Sequence, residues 1–441
     1  MLLRSKGSLL IAGALLLSMA SSAQEVKFTE YDLDNGLHVI LHQDHTAPVV
    51  AVSVMYHVGS KNETPGLTGF AHFFEHLLFE GSENIKRGEF MKIVSAGGGQ
   101  NNANTTQDRT FYYEVFPSNQ LKLGLWLESE RMMHPVINQI GVNTQREVVK
   151  EEKRMRVDNR PYGHLMEDVF KNLFTKHPYH WQTIGSMDDI NRAKLSEFQD
   201  FFKKFYTPGN AVLSISGDLN IDSTKALISS YFGPIANGPK VVQPSIKEDP
   251  ITHQIIDTAY DANIQVPALL TAYRTPAENS KDAVALQMIS SILSGGASSR
   301  LYKELVDDKK TALEVASFNY ALEDYGAYLV LAIPNGATPL DSLLQAFDTN
   351  IKDLQTNLIS EKDYQKILNQ AEMDFVNKSN TSLGVAEALA AGYTFFNKNT
   401  NHINEELQEI RSVTREQIRD VARKYLNPNQ RLILYYLPKA K

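Results

Sequence analysis

"AHFFEHLLFEG", residues 71–81, sets two histidines four apart, with a glutamate between them, inside an otherwise apolar run. On a helix each residue advances about 100°, so His72 and His76 lie about 40° apart and Glu75 falls about 60° to the other side of His72. All three project from one face. Two imidazoles one turn apart are a common grip on zinc, and a carboxylate beside them can take a proton from a water that the metal activates. The bland alternative is three partly exposed polar residues on an ordinary helix. Context weighs against it, because Phe73, Phe74, Leu77, Leu78 and Phe79 should bury most of the helix, and burying two histidines and a glutamate without partners is costly.

Zinc held by two histidines needs a third protein ligand and an open position. The run "TQREVVKEEKRMRVDN", 144–159, offers Glu147, Glu151 and Glu152 on an expected helix at roughly 143–158. On residue chemistry alone the same three read more readily as a solvated face paired with Lys150, Arg154 and Arg156. Residue chemistry alone leaves the ligand open. His57, His177 and His180 read as hydrogen-bonding structural residues.

Around the motif, "GLHVILHQ" and "PVVAVSVMYHVGS" read as strands by their β-branched content, with Asn35-Gly36 as a turn signal. "GGGQNNANTTQDRTFYYEVFP" reads as a Gly/Asn-rich turn leading into a further strand. Four prolines and two glycines with little periodicity mark 231–252 as a linker. Beyond it the plan starts again: 196–217 and 415–436 both run from an amphipathic helix through Tyr, Pro and Asn into an apolar strand. Ser196 with Gln199, and Thr414 with Gln417, offer matching capping boxes. Two copies of one α+β unit, 24–230 and 253–441, fit this echo and a length of 441 residues, more than one core usually organises.

Composition narrows the class. The net charge of −7 comes without long blocks of like charge, so there is no nucleic-acid footprint. The absence of cysteine rules out disulfides and thiolate metal sites. At the N-terminus, a short basic start, an apolar stretch from Leu9 to Ala20 and small residues ending at Ala23 read as an export signal spanning 1–23. That stretch is shorter than the 20 or so residues a membrane span needs, so no stable membrane anchor is expected once it is removed. The expected location is periplasmic or extracellular.

The chain resembles the inverted zinc peptidases of the pitrilysin and insulinase family, in particular the half-length branch that includes the mitochondrial processing peptidase subunits. The H-x-x-E-H order is that family's signature. The likeness extends through "YHVGSKNETPGLTGFAHFFEHLLFEGS", "GGGQNNANTTQDRTFYY", "HPYHWQTIGSMDDI", "YTPGNAVLSISGDL" and "LSGGASSRLYKEL", which together span most of the chain after the signal. It implies an α+β fold of two homologous α/β-sandwich domains, each a mostly antiparallel sheet with helices packed on one face. It implies Zn2+ as cofactor, His72 and His76 as ligands and Glu75 as general base. Glu152 becomes the third ligand, in a segment of the form R-x-V-x-x-x-E matched by Arg146, Val148 and Glu152, with Glu151 the runner-up. Asn102, Ala103, Asn104 and Thr105 become an edge strand that takes up an extended peptide substrate by β-addition.

Two positions depart from the family. Gln145 stands where another glutamate is usual. In the second half, Asp307 and Glu314 stand where complete enzymes carry an arginine and a tyrosine seven apart. Ionised carboxylates cannot donate to a developing oxyanion. The expected arrangement is therefore a zinc metalloendopeptidase subunit for short or unfolded peptides, active as a heterodimer with a related subunit that lacks the zinc motif and supplies the arginine and tyrosine. The alternatives are a non-catalytic structural or binding member of the family, or a self-sufficient homodimeric peptidase drawing on Arg300 or Tyr302.

Overall fold

The computed structural model describes residues 25–439, so the expected signal at 1–23 lies outside the described residues. The first half builds a six-stranded sheet from β1 (Thr29–Asp32), β2 (His38–Gln43), β3 (Val49–Tyr56), β4 (Gln100–Thr105), β5 (Thr110–Pro117) and β6 (Ala211–Gly217), in the order β1-β2-β6-β3-β5-β4. The second builds a five-stranded sheet from β7 (Ile255–Asp261), β8 (Ala268–Pro276), β9 (Ala312–Tyr320), β10 (Tyr325–Pro334) and β11 (Leu432–Pro438), in the order β7-β11-β8-β10-β9. Without β1 the two orders correspond strand for strand. In each, the first strand of the half runs parallel to the last, β2 with β6 and β7 with β11, and every other pairing is antiparallel. The helices that lead into the closing strands, Leu195–Phe205 and Arg415–Tyr425, are the ones whose echo is visible in the sequence.

The central strands explain the apolar runs. β6 is buried along its whole length, serines included, as expected of a strand covered on both faces. On one face, Val50, Val52, Val54, Leu213 and Ile215 pack with Phe73, Phe74 and Leu125 of the same half. The opposite face is covered from the other half: Val385, Leu389, Ala390 and Phe395 of helix Ser382–Phe395 pack on Ile40, Met55, Phe111 and Val212. The reverse also holds, with Leu165, Val169, Phe170 and Leu173 of helix Leu165–Leu173 packing on Leu270, Ala272, Leu329 and Leu434. Each half thus lends a helix to the other's sheet. Residues 233–254, between helix Ile221–Phe232 and β7, contain no helix or strand. They are nonetheless strapped down, because the Glu248 carboxylate accepts from the backbone N–H groups of Thr175, Lys176 and His177 at 2.6–2.7 Å.

One capping expectation needs correction. The Thr414/Gln417 box is present, with Gln417 N donating to Thr414 Oγ1 and Thr414 N to Gln417 Oε1. Its counterpart starts earlier than Ser196: the helix begins at Leu195, Glu197 accepts from Lys194 N at 2.7 Å, and Gln199 turns away to donate to Ile137 O. The first-half helix therefore starts two residues earlier than a Ser196 cap would place it.

Candidate active site

The motif lies on helix Phe70–Leu77. Its apolar side is fixed by aromatic packing of Phe70, Phe73 and Phe74 against Phe198, Phe201 and Tyr206. Gly69 precedes it with φ of 90°, a conformation that glycine adopts freely, and an added Cβ would meet Ile184 O at 2.8 Å. Two buried carboxylates brace this first turn. Glu63 accepts from Gly69 N and Ala71 N, each at 2.9 Å, and Asp189 accepts from Thr68 N and Thr68 Oγ1 at 3.1 and 2.7 Å.

His72, Glu75 and His76 then face one cavity of about 1260 Å³. The two Nε2 atoms are 3.3 Å apart, and Glu152 Oε2 lies 3.5 Å from His72 Nε2 and 3.1 Å from His76 Nε2. A tetrahedral zinc with bonds of about 2.0–2.1 Å sets its ligand atoms roughly 3.3 Å apart, so this donor set fits the ion by spacing as well as by chemistry. Burial and the neighbouring His76 hold His72 down at about 4, leaving its imidazole neutral at neutral pH. His76, then His72 and Arg156, hold the Glu152 carboxyl at about 2 against the opposing effect of burial. The neutral His72 imidazole and the ionised Glu152 carboxylate, which converge with His76 Nε2, are in the charge states that metal ligation requires of them.

Glu152 comes from helix Gln139–Lys153, which widens into a π turn over Arg154–Asp158. Of the three glutamates on this helix, Glu147 and Glu151 are exposed and pair with Lys150 and Arg154. Glu152 alone turns toward the histidines, and its second oxygen meets Arg156 at 2.6 Å. Among the described residues, His72, His76 and Glu152 are the one group of three or more acidic, histidine or cysteine side chains that could hold a metal ion. The runner-up Glu151 lines the cavity without joining the cluster.

Glu75 stands beside the cluster and accepts from Thr105 Oγ1 at 2.7 Å. Burial raises its carboxyl pKa, and the Thr105 bond and His76 only partly offset this. Thr105 closes β4, the edge strand of the first sheet, and Asn102, Ala103, Asn104 and Thr105 all line the cavity. Ala103 N already donates to Asn102 Oδ1 at 2.9 Å, so the side chain of Asn102 occupies a place an incoming strand's carbonyl could take. The Thr105–Glu75 bond and the Glu63 brace escape sequence reasoning, because neither has a spacing that marks it.

The departures also have places. Gln145 donates to Glu80 Oε1 at 2.5 Å. Asp307 and Glu314 are exposed. Arg300 is paired with Asp353 at 2.6 Å and lines a separate cavity of about 310 Å³ in the second half, while Tyr302 packs against that half's core. Neither lines the cavity of the first half. His57 pairs with Glu323, His177 with Asp324, and His180 with His177 O.

Known proteins resemble the chain in both sequence and fold. Residues 38–186 match the family profile described as insulinase (peptidase family M16), and residues 192–371 match the profile described as peptidase M16 inactive domain. The chain is 33% identical over 376 residues to a protein of Helicobacter pylori named zinc protease PqqE, covering 85% of each chain. A Bacillus subtilis protein named uncharacterized zinc protease YmxG is 22% identical over 92% of this chain and 97% of its own. The crystal structure of a protease from Helicobacter pylori superposes with a TM-score of 0.88 at 31% identity, covering 93% of this chain and 99% of that one. With both of its halves matched and the two-sheet fold shared, the chain belongs to peptidase family M16.

Proposed function

We propose that the chain is the metal-bearing subunit of an exported zinc metalloendopeptidase that hydrolyses short or unfolded peptides. The observation that carries the proposal is the convergence of His72, His76 and Glu152 beside a half-buried Glu75 whose carboxylate is held by the last residue of an edge strand. Relatives named zinc proteases support zinc as the ion. Held by the two imidazoles and the Glu152 carboxylate, zinc would supply Lewis acidity for attack on a peptide carbonyl.

The remaining work falls to the chain's own side chains. The free edge of β4 binds an extended peptide by main-chain hydrogen bonds, with Asn102 swinging off Ala103 N as the peptide arrives. Glu75 takes the proton from the attacking water and returns it to the amine nitrogen as the C–N bond breaks. Burial raises its pKa above that of a free carboxylate, which favours a group that both accepts and returns a proton. Thr105 keeps the carboxylate aimed at the cavity.

A related chain without the zinc motif completes the site with an arginine and a tyrosine, since Asp307 and Glu314 cannot donate to an oxyanion. Native mass spectrometry of the complex purified from its own cells tests the subunit claim. The expected species pairs this chain, carrying one zinc, with a related zinc-free chain. A fully active homodimer would contradict it.

A further inference from the structure

Lys61 is fully buried, and its ammonium lies 2.5 Å from Glu323 Oε2, 3.1 Å from Asp108 Oδ1 and 3.2 Å from Asp324 Oδ2. Burying an ammonium is costly unless its partners are well placed. These partners come from separate parts of the chain. Glu323 and Asp324 form the turn between β9 and β10 of the second half, and Asp108 belongs to the turn between β4 and β5. Lys61 itself lies in the segment that leads into the motif helix.

The three parts are also joined by backbone. Lys61 N donates to Gln107 O at 2.9 Å and Ser60 N to Thr106 O at 3.2 Å, which ties the Lys61 segment to the turn directly after Thr105. Glu323 N donates to Asp108 Oδ2 at 3.0 Å. Tyr179 OH donates to Asp108 Oδ1 at 2.5 Å and accepts from Asp324 N at 3.1 Å. His57 at Glu323 and His177 at Asp324 complete the ring of groups around the ammonium's partners. Two residues beyond Lys61, the Glu63 carboxylate holds Gly69 N and Ala71 N, the turn directly before His72. Displacing Lys61 therefore displaces the support of His72 on one side and of Thr105, hence Glu75, on the other.

We infer that Lys61 is a positioning residue through which the second half, which contributes no side chain to the metal cluster, holds both walls of the first half's site. The inference rests on reading His72, His76 and Glu152 as a metal site. It assigns the second half a role within its own chain, separate from any partner.

The test uses the full chain with Lys61→Met and, separately, the double variant Glu323→Gln/Asp324→Asn, which keeps the Lys61–Asp108 pair and alters partly exposed side chains. Asp348→Asn serves as control, since it weakens the Arg431–Asp348 pair away from this joint. The readouts are the zinc dissociation constant by chelator competition and hydrogen exchange at Gly69 and Ala71. Zinc affinity is expected to fall about tenfold or more in the joint variants, as for other residues that support ligands without touching the ion, with faster exchange at both amides. The control should lower the unfolding temperature and change neither readout. Joint variants that behave like the control, losing stability while zinc affinity and both amides stay as in the parent chain, would overturn the inference. If Lys61→Met fails to fold, the double variant decides. Failure of the parent chain to bind zinc would sink the metal reading instead, and amide exchange would still decide whether the joint holds the helix.

Discussion

Thr105 Oγ1 donates to Glu75 Oε2 at 2.7 Å, which ties the end of an edge strand to the carboxylate beside the two histidines. A hydrogen bond to a charged group is worth about 1.5–3 kcal/mol, or roughly tenfold to a hundredfold in rate if it is needed in the transition state. Thr105→Val should lower kcat by about tenfold or more, with KM and zinc content little changed, and Thr105→Ser should keep most of the activity. Steady-state kinetics of the two variants check this, and an unchanged kcat in the valine variant would remove the bond from the mechanism.

Glu152 is the carboxylate that faces the histidines, while its neighbour Glu151 pairs with Arg154. Glu152→Ala, like His72→Ala or His76→Ala, should purify with far less than one zinc per chain. Glu151→Ala should bind zinc as the parent does. Metal analysis of the purified variants separates the two glutamates, and the opposite pattern would reassign the ligand.

Glu248 gives the segment between the halves a pH dependence. Burial alone would raise its carboxyl, yet the N–H groups of His177, Lys176 and Thr175, with Arg274, hold it below the usual carboxylate range. A depressed folded value means stability that is present above the unfolded pKa of about 4.3 and lost as pH falls through the folded one. Glu248→Gln should cost about 2 kcal/mol at neutral pH and flatten the acid fall of the parent chain. Denaturant titrations between pH 3 and 7 read both effects.

The exchanged helices predict coupling across the halves. Leu389 lies in the second half of the sequence but is buried on the first half's sheet. Leu389→Ala should cost about 2–5 kcal/mol and speed hydrogen exchange in β3 and β6 before β8 and β10. Protection lost first in the second sheet would contradict the packing.

The histidine pair and its glutamate are legible because helical spacing alone puts them on one face, and the helix then needs only its phenylalanines to set which face is buried. The third member of the cluster is not legible from residue chemistry. Glu147, Glu151 and Glu152 each have a cation three or four residues on, and only the rotation of helix Gln139–Lys153 against the motif helix separates them; the family resemblance points to Glu152. The repeated plan shows through in the echo between 196–217 and 415–436, and the strand orders agree with it. The exchange of helices does not show, since the amphipathic pattern of Leu165–Leu173 or Ser382–Phe395 says that a face is buried without saying against which sheet. Lys61 is hidden for a related reason. In the polar run "GSKNETPG" a lysine reads as solvent-exposed, and its three carboxylate partners lie 47 or more residues away in sequence.

The decisive experiment is hydrolysis of a mixed fluorogenic peptide library. The zinc-loaded chain would be assayed alone and together with a related zinc-free chain that carries the arginine and tyrosine, with Glu75→Gln as control. The pair should cleave the library, and cleavage should be lost when Glu75 of this chain is replaced while zinc stays bound. Cleavage that survives Glu75→Gln, or a zinc-loaded pair that cleaves nothing, would contradict the proposed function.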